Sequence, residues 1–264
     1  MGEIPFFINL KCQRHKINMN EHSIEYYLCR KKLIDTNNDP SLADLIESFI
    51  YSEDKEYHTN GQLKLNCKTK YGKRYGLCQH WYDNGNLYKE INYVDGKKHG
   101  KIQCWWSNGE LSLQSNYLHD KLHGPYVEWS LNGYLFQKYH YHYNIHHGLF
   151  QRWYSNGQLL CTQEFVKGKV HGEYNEWSKR GILVKKAEYR KNKRHGCYTV
   201  WHENGNIYIQ TMYRYGKLHG NYKEFDIYGT KRVEMNYQNG IPISNYTEWD
   251  YYGKIVVQWN HDDQ

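Results

Sequence analysis

Glycine recurs at positions 76, 100, 124, 148, 172, 196 and 220 of this 264-residue chain, always 24 residues apart. A second glycine column includes Gly85, Gly109, Gly133, Gly157 and Gly205, and an aromatic column runs Trp81, Trp105, Trp129, Trp153, Trp177, Trp201, Phe225, Trp249 with the same step. Units of this kind satisfy one another by stacking, each against its neighbours, rather than by wrapping around one central core. Composition agrees. Apolar residues make up 39% of the chain but include 28 tyrosines, and mean hydropathy is −0.97, so there is little aliphatic material for a thick interior.

Each unit approximates HG-x-Y-x-x-W-x-x-N-G-x-L-x-x-x-x-x-Y-x-x-G-K-x and holds two strand signals between two turn signals. Asn-Gly at 60–61, 84–85, 108–109, 132–133, 156–157 and 204–205 predicts primed hairpin turns, with positive φ at both central residues. The Leu and Tyr columns lie six residues apart and so share one face of a strand. The chain turns back around GKxHG, which places Gly100, Gly124, Gly148, Gly172, Gly196 and Gly220 in or beside a turn. The expected fold is all-β: an elongated single-layer antiparallel β-meander of period 24, with about eight units over 59–260 and a tail at 261–264.

The columns resemble MORN repeats, in the HGxYxxWYxNGxL variant found in bacterial antitoxin-like proteins and in large DNA viruses of protists. The resemblance covers about three quarters of the chain. It implies that the glycine and tryptophan columns are structural, and that the chain is a non-enzymatic scaffold or protein-interaction module with an unknown protein partner. It also raises two other readings, peripheral association with anionic lipid head groups and an antitoxin- or immunity-like binding role. The lipid-kinase and methyltransferase domains to which such repeats are fused elsewhere do not fit in the 58 residues left over.

Residues 1–58 stand outside the period and differ in charge. They carry 7 Lys/Arg against 10 Asp/Glu, whereas 59–264 carry 28 against 18. Within them, Leu42, Leu45, Ile46, Phe49 and Ile50 follow the spacing of a short amphipathic helix. An N-terminal cap over the first sheet edge is expected, with a docking segment as the alternative. No apolar run reaches the ~18 residues of a membrane span. The expected setting is cytoplasmic and reducing, with peripheral membrane contact as a variant.

Neither phosphate-loop nor nucleophile-elbow patterns occur, so no catalytic residue and no cofactor is expected. The seven cysteines include no Cys-x-x-Cys pair, which argues against a zinc knuckle and against a disulfide framework. Histidines 99, 123, 147, 171, 195 and 219 form a column whose members lie two strands, ~9.5 Å, apart, too far to share one ion; they are expected to be turn residues. The densest basic stretch, KRGILVKKAEYRKNKR at 179–194, supplies candidate contacts to an anionic partner: Lys179, Arg180, Lys185, Lys186, Arg190, Lys191, Lys193 and Arg194. Strand alternation is expected to split these charges between two faces. Nucleic acid is not the expected partner, because the aromatic columns serve cross-strand packing.

Overall fold

The computed structural model describes residues 50–259 apart from Asn245. Among them, 21 strands form one open antiparallel sheet in which consecutive hairpin arms pair in chain order. The expected N-terminal cap and its helix lie outside the described residues, apart from Ile50 and residues 51–58. Among the described residues, the sheet begins inside the segment set apart by charge. Strand β1 (Tyr51–Tyr57) pairs along its whole length with β2 (Leu63–Lys70), which is succeeded by β3 (Lys73–Trp81) and β4 (Leu87–Val94). All seven β1 side chains are exposed, and the central ones include Glu53, Asp54, Lys55 and Glu56.

The two faces of the sheet differ in chemistry. One carries a central row that runs rung by rung through Cys67, Cys78, Ile91, Ile102, Ser115 and Tyr126, each directly opposite the next. Leu65, Cys67, Cys78, Ile91, Tyr93 and Ile102 form a buried cluster, with Tyr117 packed against it. A single layer buries this row because larger neighbours on the same face lean over it. Farther along, Gln163 lies opposite Tyr174, and Ala187 and Thr211 lie opposite Tyr198, while Tyr126 faces Tyr139 and Tyr222 faces Met235. The opposite face has a polar central row that includes Gln79, Glu90, Gln103 and Gln114.

The turns differ from expectation at Asn-Gly. Neither Thr59 nor Asn60 has positive φ; only Gly61 does, at +84°. Gly61 N–H bonds the His58 carbonyl at 3.0 Å and His58 N–H bonds the Gln62 carbonyl at 2.8 Å, so the glycine closes a longer turn from the left-handed region. The primed turns lie at the other edge. There both central residues have positive φ, as in His119 and Asp120 (+49° and +65°) or Tyr143 and Asn144 (+49° and +67°). The His-Gly pair of GKxHG therefore comes after the turn, inside the following strand or, at His147 and His219, at a break in it.

Both edges are laced from unit to unit. On the Asn-Gly edge, Asn60, Asn84, Asn108, Asn156 and Asn204 each donate Nδ2–H to a backbone carbonyl 23 residues ahead, at 2.7–3.2 Å. Each also accepts a backbone N–H two residues on, at 3.0–3.1 Å. On the other edge, turn N–H groups reach carbonyls one unit back, as in Gly96 to Arg74 at 3.0 Å and Asn144 to Leu122 at 2.9 Å. Asn84→Ala should lower unfolding free energy by about 1 kcal/mol, since both bonds are solvent-exposed. An unchanged urea midpoint would show that this lacing adds nothing.

The histidine-glycine pairs create a bulge, which corrects their expected place in a turn. Ile91 faces Ile102 and Tyr93 faces Lys98, so one residue of β4 opposes three of the next strand, with Gly100 at φ +76°. Gly124 occupies the same bulge at φ +93°. At Gly148 and Gly220, both at φ +82°, the bulge divides the strand, leaving Ile145–His146 apart from Gly148–Trp153 and Lys217–Leu218 apart from Gly220–Phe225. Gly172 shares this conformation, and at the equivalent Gly196 φ is +101° and a Cβ would meet the Glu188 side chain. Gly196→Ala should therefore cost about 1–3 kcal/mol, read from a denaturant midpoint. Backbone conformation thus accounts for the glycine column.

Candidate interaction surfaces

The sheet leaves three kinds of surface open: the aromatic face, the polar face and the two turn edges. On the aromatic face, Tyr126, Tyr174 and Tyr222 donate their hydroxyls to Glu128, Glu176 and Glu224 two residues on. Burial first, then these bonds to carboxylates, push the three phenols above the ordinary tyrosine range. The tryptophans end their strands at a register shift, opposite the Leu column, as Trp81 does with Leu87 and Trp105 with Leu111. Their carbonyls accept bonds from the preceding unit: Tyr82 Oη–H to Trp105 at 2.9 Å and Tyr154 Oη–H to Trp177 at 3.0 Å.

The basic stretch does not form one patch. Lys179 and Arg180 sit at the Asn-Gly edge, where Arg180 lies 3.7 Å from Glu203. Arg190, Lys191 and Lys193 sit at the opposite edge. Between them, Lys185 on the aromatic face pairs with Glu176 at 3.4 Å, and Lys186 on the polar face pairs with Glu173 at 3.0 Å. Arg194 stacks on Tyr198 and Tyr213, with its guanidinium carbon 4.7 and 5.2 Å from the ring centres. Several of these charges are thus already engaged, and the set faces four directions.

A basic feature unmarked by local density takes its place. Lys73, Lys97, Lys121, Lys169, Lys193 and Lys217 are all exposed, each the first residue after a primed turn, and so line one edge at two-strand intervals, interrupted where Ile145 takes the position. The period contains this column as the lysine of GKxHG, where the neighbouring histidine is the more conspicuous residue. Yet His99, His123, His171, His195 and His219 are half-buried, and His147 alone of the column is exposed. Three of them pack on a turn residue of the next unit. Ring centres of His99 and His119 are 5.1 Å apart, those of His123 and Tyr143 4.8 Å, and those of His195 and Tyr215 4.7 Å.

The cysteines overturn another expectation. Cys67 and Cys78 form a disulfide, with Cα atoms 4.2 Å apart on facing positions of β2 and β3. No Cys-x-x-Cys spacing announces it, because the antiparallel hairpin, not local sequence, brings residues 11 apart together. His80 lies two residues beyond Cys78, with Nε2 3.7 Å from its Sγ. These three residues are also the group of potential metal ligands that the described residues bring together.

An open, single-layer sheet of laced 24-residue hairpins, with chemically distinct faces, defines a β-repeat ribbon. The model of the MORN repeat variant matches residues 74–95, 147–167 and 194–215, and the chain is a MORN repeat-containing protein. MORN repeats are in general interaction or scaffold modules and non-catalytic. No curated protein sequence matches the chain. No helix among the described residues is long and apolar enough to cross a membrane.

Proposed function

We propose that this chain is a non-enzymatic scaffold that holds a protein partner along its polar face. The observation that carries this reading is the regular row of uncharged and charged polar side chains, such as Gln79, Glu90, Gln103 and Gln114, on a sheet stiffened at both edges. Side chains repeated at a fixed spacing favour an elongated partner, which gains affinity from several weak contacts at once. In this reading residues 1–58 act as a cap or docking segment. Cross-linking of the full chain in its native cells should join a protein through the polar face. Replacing Gln103, Gln114 and Gln151 with Glu should abolish that adduct, while Lys97, Lys121 and Lys169 changed to Glu should leave it. An adduct indifferent to the glutamines removes the polar-face reading.

The exposed lysine row favours a second reading, peripheral association with anionic lipid. Polybasic segments near such a surface gain about 1 kcal/mol per charge and lose it with salt. Flotation with vesicles of acidic phospholipid at low and high salt tests it. Salt-sensitive binding lost in the triple lysine-to-glutamate variant supports the lipid reading; no flotation at low salt removes it.

A further inference from the structure

The rung formed by Cys67 and Cys78 is unlike every other rung of its row. Position 67 corresponds to Ile91, Ser115, Tyr139, Gln163, Ala187, Thr211 and Met235 in later units, and position 78 to Ile102, Tyr126, Phe150, Tyr174, Tyr198, Tyr222 and Tyr246. Cysteine occurs in neither column except here, and here it occurs in both. The neighbouring position changes with them. Where some later units pair a tyrosine with a glutamate two residues on, as Tyr126 with Glu128 and Tyr174 with Glu176, and others carry Cys104, Arg152 or Val200 at the second position, this unit places Cys78 beside His80. Three positions that touch thus carry soft ligands together in this unit alone.

We propose that the reduced Cys67–Cys78 rung and His80 form a binding site for a thiophilic d10 cation, zinc above all. The three ligand atoms lie within 4.8 Å of one another. Tetrahedral zinc with Zn–S of ~2.3 Å and Zn–N of ~2.0 Å sets S···N at ~3.5 Å. The Cys78 Sγ to His80 Nε2 separation is 3.7 Å. Cys67 and Cys78 are 0% and 1% exposed, so the sulfurs are shielded from competing water, while half-buried His80 forms the open side by which an ion enters. Two thiolates and a neutral imidazole suit zinc or copper(I) over calcium or magnesium. Water completes the coordination.

The disulfide and the ion exclude each other. A thiol reductant delivers two electrons and two protons to the S–S bond, giving two cysteine thiols and the oxidised reductant. Zn²⁺ then displaces both thiol protons to solvent and leaves a neutral dithiolate–imidazole complex. Metal loading thus requires reduction, and oxidation to the disulfide ejects the ion.

The test uses the full chain with Cys12, Cys29, Cys104, Cys161 and Cys197 changed to Ser, reduced, desalted without oxygen, and shown by thiol titration to hold two free thiols. Zn²⁺ is titrated against a chromophoric chelator, and Co²⁺ reports on sulfur ligation through its thiolate charge-transfer band. One equivalent per chain is expected, with a charge-transfer band in the reduced protein and none in the oxidised one. His80→Gln should weaken binding by at least about 10–100-fold, the loss typical of disturbing even an outer-shell partner. Cys67→Ser should abolish the band, and because that variant leaves Cys78 beside a hydroxyl, its far-ultraviolet circular dichroism is checked against the parent. His80→Gln keeps the disulfide rung and guards against a folding failure. Uptake that persists in Cys67→Ser without the band, or no uptake by protein with both thiols free, overturns the site.

Discussion

Excision of residues 148–171 should yield a folded ribbon one unit shorter, because His147 then meets Gly172 and restores the His-Gly bulge in register. Each unit touches mainly its neighbours, and the backbone bonds remade across the junction are of the kind found throughout the sheet. Cooperative unfolding should persist, with the denaturant slope reduced by roughly a tenth in step with the surface lost. Excision of 160–171 should do something different. It removes half a unit, so every later Asn-Gly turn emerges at the opposite edge, where no carbonyl of the preceding turn faces it. Urea unfolding of that variant should split into two transitions, one for each block. A single transition of undiminished midpoint would show that the edge lacing does not couple the units.

Alkali should destabilise the fold steeply. Tyr126, Tyr174 and Tyr222 hold their protons well past the ordinary range, owing first to burial and then to the carboxylates they bond, and Tyr117, Tyr139, Tyr141 and Tyr154 are raised by burial as well. The unfolded chain ionises its tyrosines near pH ~10. Above that value the folded state binds more protons than the unfolded one, so stability falls as pH rises. The contribution of these phenols is complete below pH ~10 and is lost progressively above it. Urea midpoints should be level between about pH 8 and 9.5 and fall from about pH 10 onward. Changing Tyr126, Tyr174 and Tyr222 together to Phe should flatten the fall. A midpoint constant to about pH 11.5 would mean that the rings titrate as free phenols. The face would then be more open than the hydrogen bonds to Glu128, Glu176 and Glu224 imply.

Much of the architecture was legible because a period of 24 constrains every position at once. The shared face of Leu87 and Tyr93 follows from strand alternation alone. Two local signals mislead for a common reason. The dipeptide preference of Asn-Gly points to a primed turn, whereas in this sheet its asparagine is occupied in bonding the next unit and the glycine closes a longer loop. The glycine of GKxHG points to a turn around its histidine. In the sheet that glycine supports a bulge inside the strand, and the turn lies three residues upstream of the histidine, as His119-Asp120 does before His123.

The basic stretch shows the same limit on the functional side. Eight cations within sixteen residues look like a patch, yet hairpin geometry sends them to two edges and two faces and gives several of them acidic or aromatic partners. The lysine row at the primed-turn edge has the opposite character. Its members are 24 residues apart in sequence or a multiple of that, and only the stacking of units makes them neighbours.

The repeating hairpin, the alternation of faces and the positions that must be glycine or aromatic were set by the order of residues alone, because they depend on contacts within a unit and between identical units. Which residues of different strands share a rung was decided by the folded sheet. Cys67, Cys78 and His80 carry no recognisable spacing, and they meet because antiparallel pairing joins residue 67 to residue 78 while the two-residue strand period returns residue 80 to the same face.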